Sequence, residues 1–209
     1  MHQVHQEREP MHQVHQELEL KAVVPDPDAV RARLLAAGAM RGFIGRMTDL
    51  RYDRAGELAS RDEVLRVRTL DHPDGTEAIL TWKGPTMLSP DGYKLREEIE
   101  LPISRPSSDP GRLLVALGYQ AVHAIEREVE VYRLAGAAVR LETYPRMDVL
   151  LEVEGAPAAI ERAIAASGIP RHQFTAESLA GFVRRYEMRT GRPAVLATSH
   201  LPAAGIGNR

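Results

Sequence analysis

Apolar and charged residues alternate through most of the chain between Glu17 and Gly155, in short runs punctuated by Gly, Pro and Asp. Alternation at a period of two marks strands with one apolar and one polar face. It predicts strands over 17–24, 48–52, 64–70, 77–83, 94–102, 124–134, 138–144 and 149–155. Helical spacing is rarer. It appears at 29–37 after the break Pro25-Asp26-Pro27-Asp28, at 109–117 before Gly118, at 157–167 and at 176–190. Asp71-His72-Pro73-Asp74-Gly75 reads as a hairpin turn, Gly136 turns a second hairpin, and 85–92 and 104–110 read as loops. Many antiparallel strands with short turns and few helices predict an α+β, mainly antiparallel β fold: a closed barrel of eight-stranded type with helices outside.

Residues two apart on a strand share a face, and on strand after strand one face is ionic. Glu17, Glu19 and Lys21 stand together against Leu18 and Leu20, and Arg66 and Arg68 against Leu65 and Val67. Lys83 follows Thr81, with Leu80 and Trp82 behind them. Arg96, Glu98 and Glu100 oppose Leu95, Ile99 and Leu101, although Glu97 interrupts the apolar side. Arg140 and Glu142 oppose Val139 and Leu141, and Glu152 and Glu154 oppose Leu151 and Val153. A sheet with one solvated face would give such a pattern. Here, however, the polar face is nearly all Arg, Lys and Glu, with both signs segregated by strand. Turned inward, it would line a tunnel whose charges need counter-charges. Basic residues suit phosphate oxygens and clustered carboxylates suit Mg²⁺ or Mn²⁺, so a triphosphate with its metal meets both demands.

Composition narrows the class. The 209 residues carry 27 Lys plus Arg against 29 Asp plus Glu, a formal charge of −2, which argues against a general nucleic-acid binder. Cysteine is absent, which excludes disulfides and thiolate-held metals. No apolar run is long enough for a membrane span or a signal peptide, so a cytoplasmic protein is expected. MHQVHQE occurs twice, at 1–7 and 11–17, so 1–16 is expected to be a disordered repeat, with the domain over 17–191 and a disordered tail over 192–209. No nucleophile elbow, P-loop or dinucleotide fingerprint is present. His123 and His172 stand apart from other ligating residues, Trp82 is expected to pack outward under a helix, and Leu179, Phe182, Val183 and Tyr186 form a core stripe.

Taken in order, the charged motifs resemble those of the CYTH superfamily, which contains class IV adenylate cyclases and thiamine triphosphatases and is also known as the triphosphate tunnel metalloenzymes. Glu17-Leu18-Glu19-Leu20-Lys21 fits its ExExK signature, and Asp49-Leu50-Arg51-Tyr52-Asp53 resembles the strand after the first helix. Leu65-Arg66-Val67-Arg68 resembles LRxR, and Leu80-Thr81-Trp82-Lys83-Gly84-Pro85 resembles an LTxKGP segment of the cyclase-like branch. Arg96-Glu97-Glu98-Ile99-Glu100 resembles RxExE, and Glu142 followed by Glu152 and Glu154 matches the family's ending.

The resemblance implies a tunnel barrel binding Mg²⁺ or Mn²⁺ and a triphosphate. Glu17, Glu19, Glu152 and Glu154 are implied as metal-side carboxylates, joined or supported by Glu98, Glu100 and Glu142. Lys21, Arg66, Arg68, Lys83, Arg96 and Arg127 are implied as triphosphate ligands. Glu17, Glu19, Lys21 and Glu142 are the expected catalytic set. The leading expectation is conversion of ATP to 3′,5′-cyclic AMP and pyrophosphate. Its rival is hydrolysis of inorganic, nucleoside or thiamine triphosphate, and a third reading is a non-catalytic polyphosphate-binding protein. The expected partner is a nucleoside triphosphate or other triphosphate, with neither nucleic acid nor membrane, and a homodimer is left open. Three positions depart from the family pattern. Arg127-Glu128-Val129 lacks the second basic residue of a KxR pair, Glu142 stands where Asp is usual, and Asp148 replaces a common Gly beside Pro145-Arg146.

Overall fold

The computed structural model of the chain describes residues 15–73, 75–103, 109–199 and 201. The N-terminal repeat up to residue 14, most of the 104–110 loop and the last eight residues lie outside them. Among the described residues nine strands form one sheet: β1 His15–Val23, β2 Met40–Asp53, β3 Val64–His72, β4 Gly75–Lys83, β5 Met87–Leu88, β6 Lys94–Ile103, β7 Gln120–Leu134, β8 Ala137–Thr143 and β9 Leu150–Glu154. The order is β1-β9-β8-β7-β2-β3-β4-β6, and β6 pairs back with β1, so eight antiparallel strands close into a barrel. The short β5 adds to β6 from outside. Closure removes the free edges that an open sheet of this size would expose.

The helices follow local signals. Asp26 caps α1 (Pro27–Ala36) by accepting from the Ala29 N–H at 3.0 Å, and Asp109 caps α3 (Pro110–Ala116) through the Arg112 N–H. Asp53 accepts from the N–H groups of Leu58 and Ala59 and fixes the single turn α2 (Glu57–Ser60). α4 (Pro157–Ser167) opens on proline and ends at Gly168 in the left-handed region. α5 (Leu179–Thr190) begins three residues later than the sequence pattern suggests.

The main apolar core lies outside the barrel wall. Leu20, Val139, Leu141, Leu151 and Val153 face outward from β1, β8 and β9 and pack against Val30 and Leu34 of α1 and Ile160 and Ile164 of α4. Each such side chain contributes roughly 1.5–3 kcal/mol by leaving water, which leaves the opposite face of the same strands free to be polar. A second cluster closes one end of the barrel. Val23, Ile125 and Leu150 continue the inward faces of β1, β7 and β9 and meet Phe182 and Leu179 of α5, Tyr144 and Leu196.

Two differences from the sequence pattern have physical causes. β2 reaches back to Met40 because its first half pairs with β7, across a register shift between Arg41 and Ile44 that breaks the alternation. Gly45 sits so close to the Asp71 carbonyl that no side chain fits there. The expected disordered tail is also corrected in part. Val195 and Arg146 exchange backbone hydrogen bonds of 2.8 and 3.1 Å, and the Glu126 N–H donates to the Leu196 carbonyl. Residues 193–199 therefore form a strap along the barrel rather than a loose end.

Candidate functional site

The ionic faces all point inward. Buried inside the barrel are Glu17, Glu19 and Lys21 of β1, Asp49 of β2, Arg66 and Arg68 of β3, Glu98 of β6, Arg127 of β7, Glu142 of β8 and Glu152 of β9. They pair across the lumen in an almost continuous network, which offsets the cost of burying so many charges.

On one side carboxylates converge. Oxygens of Glu17, Glu19 and Glu152 lie within 4.8 Å of one another, all buried. Ammonium groups neutralise them. Lys21 Nζ is 2.8 Å from Glu19 and 2.6 Å from Glu152, Lys83 pairs with Glu17 and stands 3.0 Å from Glu98, and Lys94 pairs with Glu19. Burial would raise Glu19, but Lys21 and Lys94 outweigh it and hold it at about 2. Glu17 is raised, because burial and the neighbouring Glu19 and Glu98 carboxylates exceed the pull of Lys83. Burial opposes the charge of Lys21 as well, yet Glu152 and Glu19 keep it firmly protonated. Three hard oxygen donors this close together, each leaning on a nearby cation, suit a divalent ion such as Mg²⁺ or Mn²⁺.

On the other side guanidinium groups converge on Asp49. Arg68 grips it with two hydrogen bonds of 2.8 and 3.0 Å, Arg127 donates at 3.1 Å and Arg66 approaches to 3.5 Å. Burial acts against its ionisation, but Arg68 and Arg127 hold it well below the aspartate range. Arg127 also donates to Glu142 at 2.9 Å, and the Tyr144 hydroxyl donates to the same carboxylate at 2.6 Å. Arg51 completes the group as the cross-strand neighbour of Arg66. Burial, followed by repulsion from Arg66 and Arg127, keeps Arg51 below its ordinary value despite Asp49. The buried nitrogens Arg51 Nε, Arg66 Nε and Arg127 Nη1 have no hydrogen-bond partner among the described residues. Orphaned charged donors are costly, and several in one place point to an anion.

The expected residues divide accordingly. Glu17, Glu19 and Glu152 come together, and Lys21, Lys83, Arg66, Arg68 and Arg127 face them or the adjoining space. Glu154 is held by Arg140 at 2.7 Å, and Glu98 lies between Lys83 and Arg66 at 3.0 and 3.3 Å. Glu100 is the most exposed of the set and stands 3.7 Å from Arg66. Glu142 sits with Arg127 and Tyr144, away from the carboxylate trio. Arg96, expected to hold phosphate, instead donates to the carbonyls of Gly84 and Asp62, each at 2.6 Å, so its fork braces two loops. Trp82 does face outward, donating from Nε1 to Glu63 at 3.3 Å. Asp49, Arg51, Lys94 and Arg140 were missing from the expected site. All four were visible as charged residues on alternating strands, but only the closed register shows which lumen neighbours they meet.

The central cavity, lined by Glu17, Arg66, Arg68, Lys83, Arg140 and Glu152 among others, has a volume of only about 50 Å³.

Residues 15–160 match the family model of the CYTH domain. Solved structures share the fold. The PH1819 protein of Pyrococcus horikoshii OT3 superposes with a TM-score of 0.65 at 23% identity, covering 84% of this chain and 99% of its own. A protein of Vibrio parahaemolyticus, proposed to be an adenylate cyclase, gives 0.67 at 16% identity over 82% of this chain and 99% of its own. HpAC1 of Hippeastrum, a proposed adenylyl cyclase described as revealing a dominant triphosphatase activity, gives 0.56 at 21% identity over 88% of this chain and 100% of its own. No curated protein matches the chain. No helix among the described residues is long and apolar enough to cross a membrane.

Proposed function

Because the chain belongs to the CYTH domain family, we propose that it binds a linear triphosphate with a divalent cation inside its barrel and cleaves one phosphoanhydride bond. The observation that carries this reading is the division of the lumen into a carboxylate trio and a cluster of arginines with unpartnered donors. Glu17, Glu19 and Glu152 would hold Mg²⁺ or Mn²⁺, which when bound draws charge from phosphate oxygens and lowers the barrier to phosphoryl transfer. Arg66 and Arg127 offer free N–H groups to the phosphates, and Lys83 can turn to them from Glu17 and Glu98. Arg68 has its fork committed to Asp49 and orients the cluster. Lys21 keeps Glu19 and Glu152 ionised. Such a site works by positioning and neutralising charge, with little covalent chemistry of its own.

Two bonds are candidates. Cleavage next to the α-phosphorus, with the ribose 3′-hydroxyl as nucleophile, makes 3′,5′-cyclic AMP from ATP. It is favoured by segment 80–85, whose resemblance to the cyclase branch is accompanied by Lys83 facing the lumen. Hydrolysis of the terminal phosphate is favoured by the cavity lining, in which every residue is ionisable and none offers a surface to seat a base. The test incubates the purified chain with ATP, inorganic triphosphate or thiamine triphosphate, each with Mg²⁺ or Mn²⁺, and identifies products by chromatography. Cyclic AMP with pyrophosphate establishes the cyclase, and orthophosphate alone establishes the hydrolase. Activity must vanish in the Glu17→Gln, Glu19→Gln double variant. Triphosphate binding without turnover of any substrate would refute the catalytic reading.

A further inference from the structure

Arg51 and Arg66 are direct cross-strand partners on β2 and β3. Directly opposed residues of an antiparallel pair share a face, and like charges in that position repel. Arg66 points into the lumen, where it meets Glu98 and Asp49, so Arg51 points there too. The next inward pair along the same strands is Asp49 opposite Arg68, which is matched in sign and doubly hydrogen bonded. The fold thus places one complementary pair and, two residues away, one repulsive pair in the same buried wall. Arg66 shares Asp49 and Glu98 with other cations and stands 3.7 Å from the exposed Glu100, Arg51 forms no ion pair among the described residues, and the Nε of each is buried there without a partner. Mutual repulsion and two orphaned donors are both relieved by one thing: an anion lying between the guanidinium groups.

From this geometry we infer that Arg51 is a further phosphate-binding residue, which with Arg66 clamps one phosphoryl group of the triphosphate. The inference rests on the function proposed above and extends it to a residue outside the motif-derived ligand set. Arg51 also lies within interaction range of Arg127 on the neighbouring strand β7. Each charged fork can supply paired hydrogen bonds to phosphate oxygens. Without a ligand, the Arg51–Arg66 contact costs stability.

The test uses inorganic triphosphate, with orthophosphate as the competing source of the same chemistry, in chelated buffer so that metal binding plays no part. Arg51→Gln is expected to weaken triphosphate binding by roughly tenfold or more, the loss that one charge-assisted contact predicts. The ligand-free variant should unfold at a temperature no lower than the unaltered chain, because a repulsion has been removed. Arg51→Lys should bind with intermediate affinity. Affinity unchanged in Arg51→Gln overturns the inference, as does a lower unfolding temperature with a full ligand-induced rise. A readout in the unaltered chain guards against a variant that fails to fold: the Arg51 Nε–H resonance must move on saturation with triphosphate. If triphosphate binds and that resonance stays fixed, only the clamp is wrong. If triphosphate binds neither in chelated buffer nor with Mg²⁺ or Mn²⁺ restored, the proposed function falls and the clamp with it, whereas binding only with the metal overturns the clamp alone. Orthophosphate should bind more weakly than triphosphate, and equal affinity would overturn the clamp as part of an extended triphosphate seat.

Discussion

Replacing Glu126 with glutamine should release the C-terminal strap. Glu126 is buried on the outer side of β7, and its carboxylate accepts from the Thr198 N–H at 3.1 Å, the Thr198 hydroxyl at 2.8 Å, the Ser199 N–H at 3.2 Å and the Ser199 hydroxyl, with Arg46 at 2.7 Å. Burial would raise its pKa, but these donors prevail and hold it at about 2, against an ordinary 4.5. That gap corresponds to about 3 kcal/mol of stabilisation. A glutamine keeps one acceptor oxygen and turns an NH₂ group toward the remaining donors, so most of this is lost. Amide hydrogen exchange at Thr198 and Ser199 should speed by roughly 30- to 150-fold at pH 7, the equivalent of about 2–3 kcal/mol of local opening. The pKa of Glu126 is depressed on folding, so its contribution is complete above the ordinary value and fades as pH falls from 4.5 toward 2. The gap in protection between the two chains should therefore close over that interval. Exchange altered by less than about threefold at pH 7, or a gap that persists at pH 2, would refute the view that one carboxylate latches the strap.

Asp49→Asn should cost about 3–5 kcal/mol in urea denaturation, because it strips the shared counter-charge from Arg68, Arg127 and Arg66. Asp49 also has a depressed pKa, so wild type and variant should converge in stability as pH drops below the ordinary aspartate range. Phe182→Ala opens the apolar plug at the barrel end and should cost about 3–5 kcal/mol by the same measurement. Saturating Mg²⁺ or Mn²⁺, at about 100 times its dissociation constant, should stabilise the chain by about 2.7 kcal/mol. That gain should be absent from Glu19→Gln in a thermal melt with and without EDTA.

The alternation of Glu17, Glu19 and Lys21 against Leu18 and Leu20 made the barrel legible, since each strand announces which face meets helices and which does not. The density of Arg, Lys and Glu suggested that the charged face turns inward, and the resemblance of the ExExK and ExE motifs to the CYTH family implied that Glu17, Glu19, Glu152 and Glu154 stand on one side, of which the first three converge. Partner choice was not legible. Arg96 and Arg66 look alike in sequence, yet one braces the loop carbonyls of Gly84 and Asp62 while the other faces the lumen. Asp49 and Arg51 lay within a recognisable strand, but their neighbours depend on a register against β3 that no local pattern encodes. The first half of β2 was hidden because Gly42 and Gly45 carry no side chain to continue the alternation, and Gly45 is required by the approach of the Asp71 carbonyl. The strap was hidden because backbone hydrogen bonds and a single distant carboxylate hold it, with no apolar periodicity.

The closure of β1 against β6 and β9 also sets a schedule for synthesis on the ribosome. β1 is translated before both strands that flank it, and β9 begins only at Leu150. At about 5–20 residues per second, the nascent strand waits on the order of ten seconds for its last neighbour. An unpaired strand held that long is an invitation to aggregate unless charges interrupt it. Glu17, Glu19 and Lys21 provide that interruption, so the residues that line the lumen of the finished barrel first break up an aggregation-prone edge in the newborn chain.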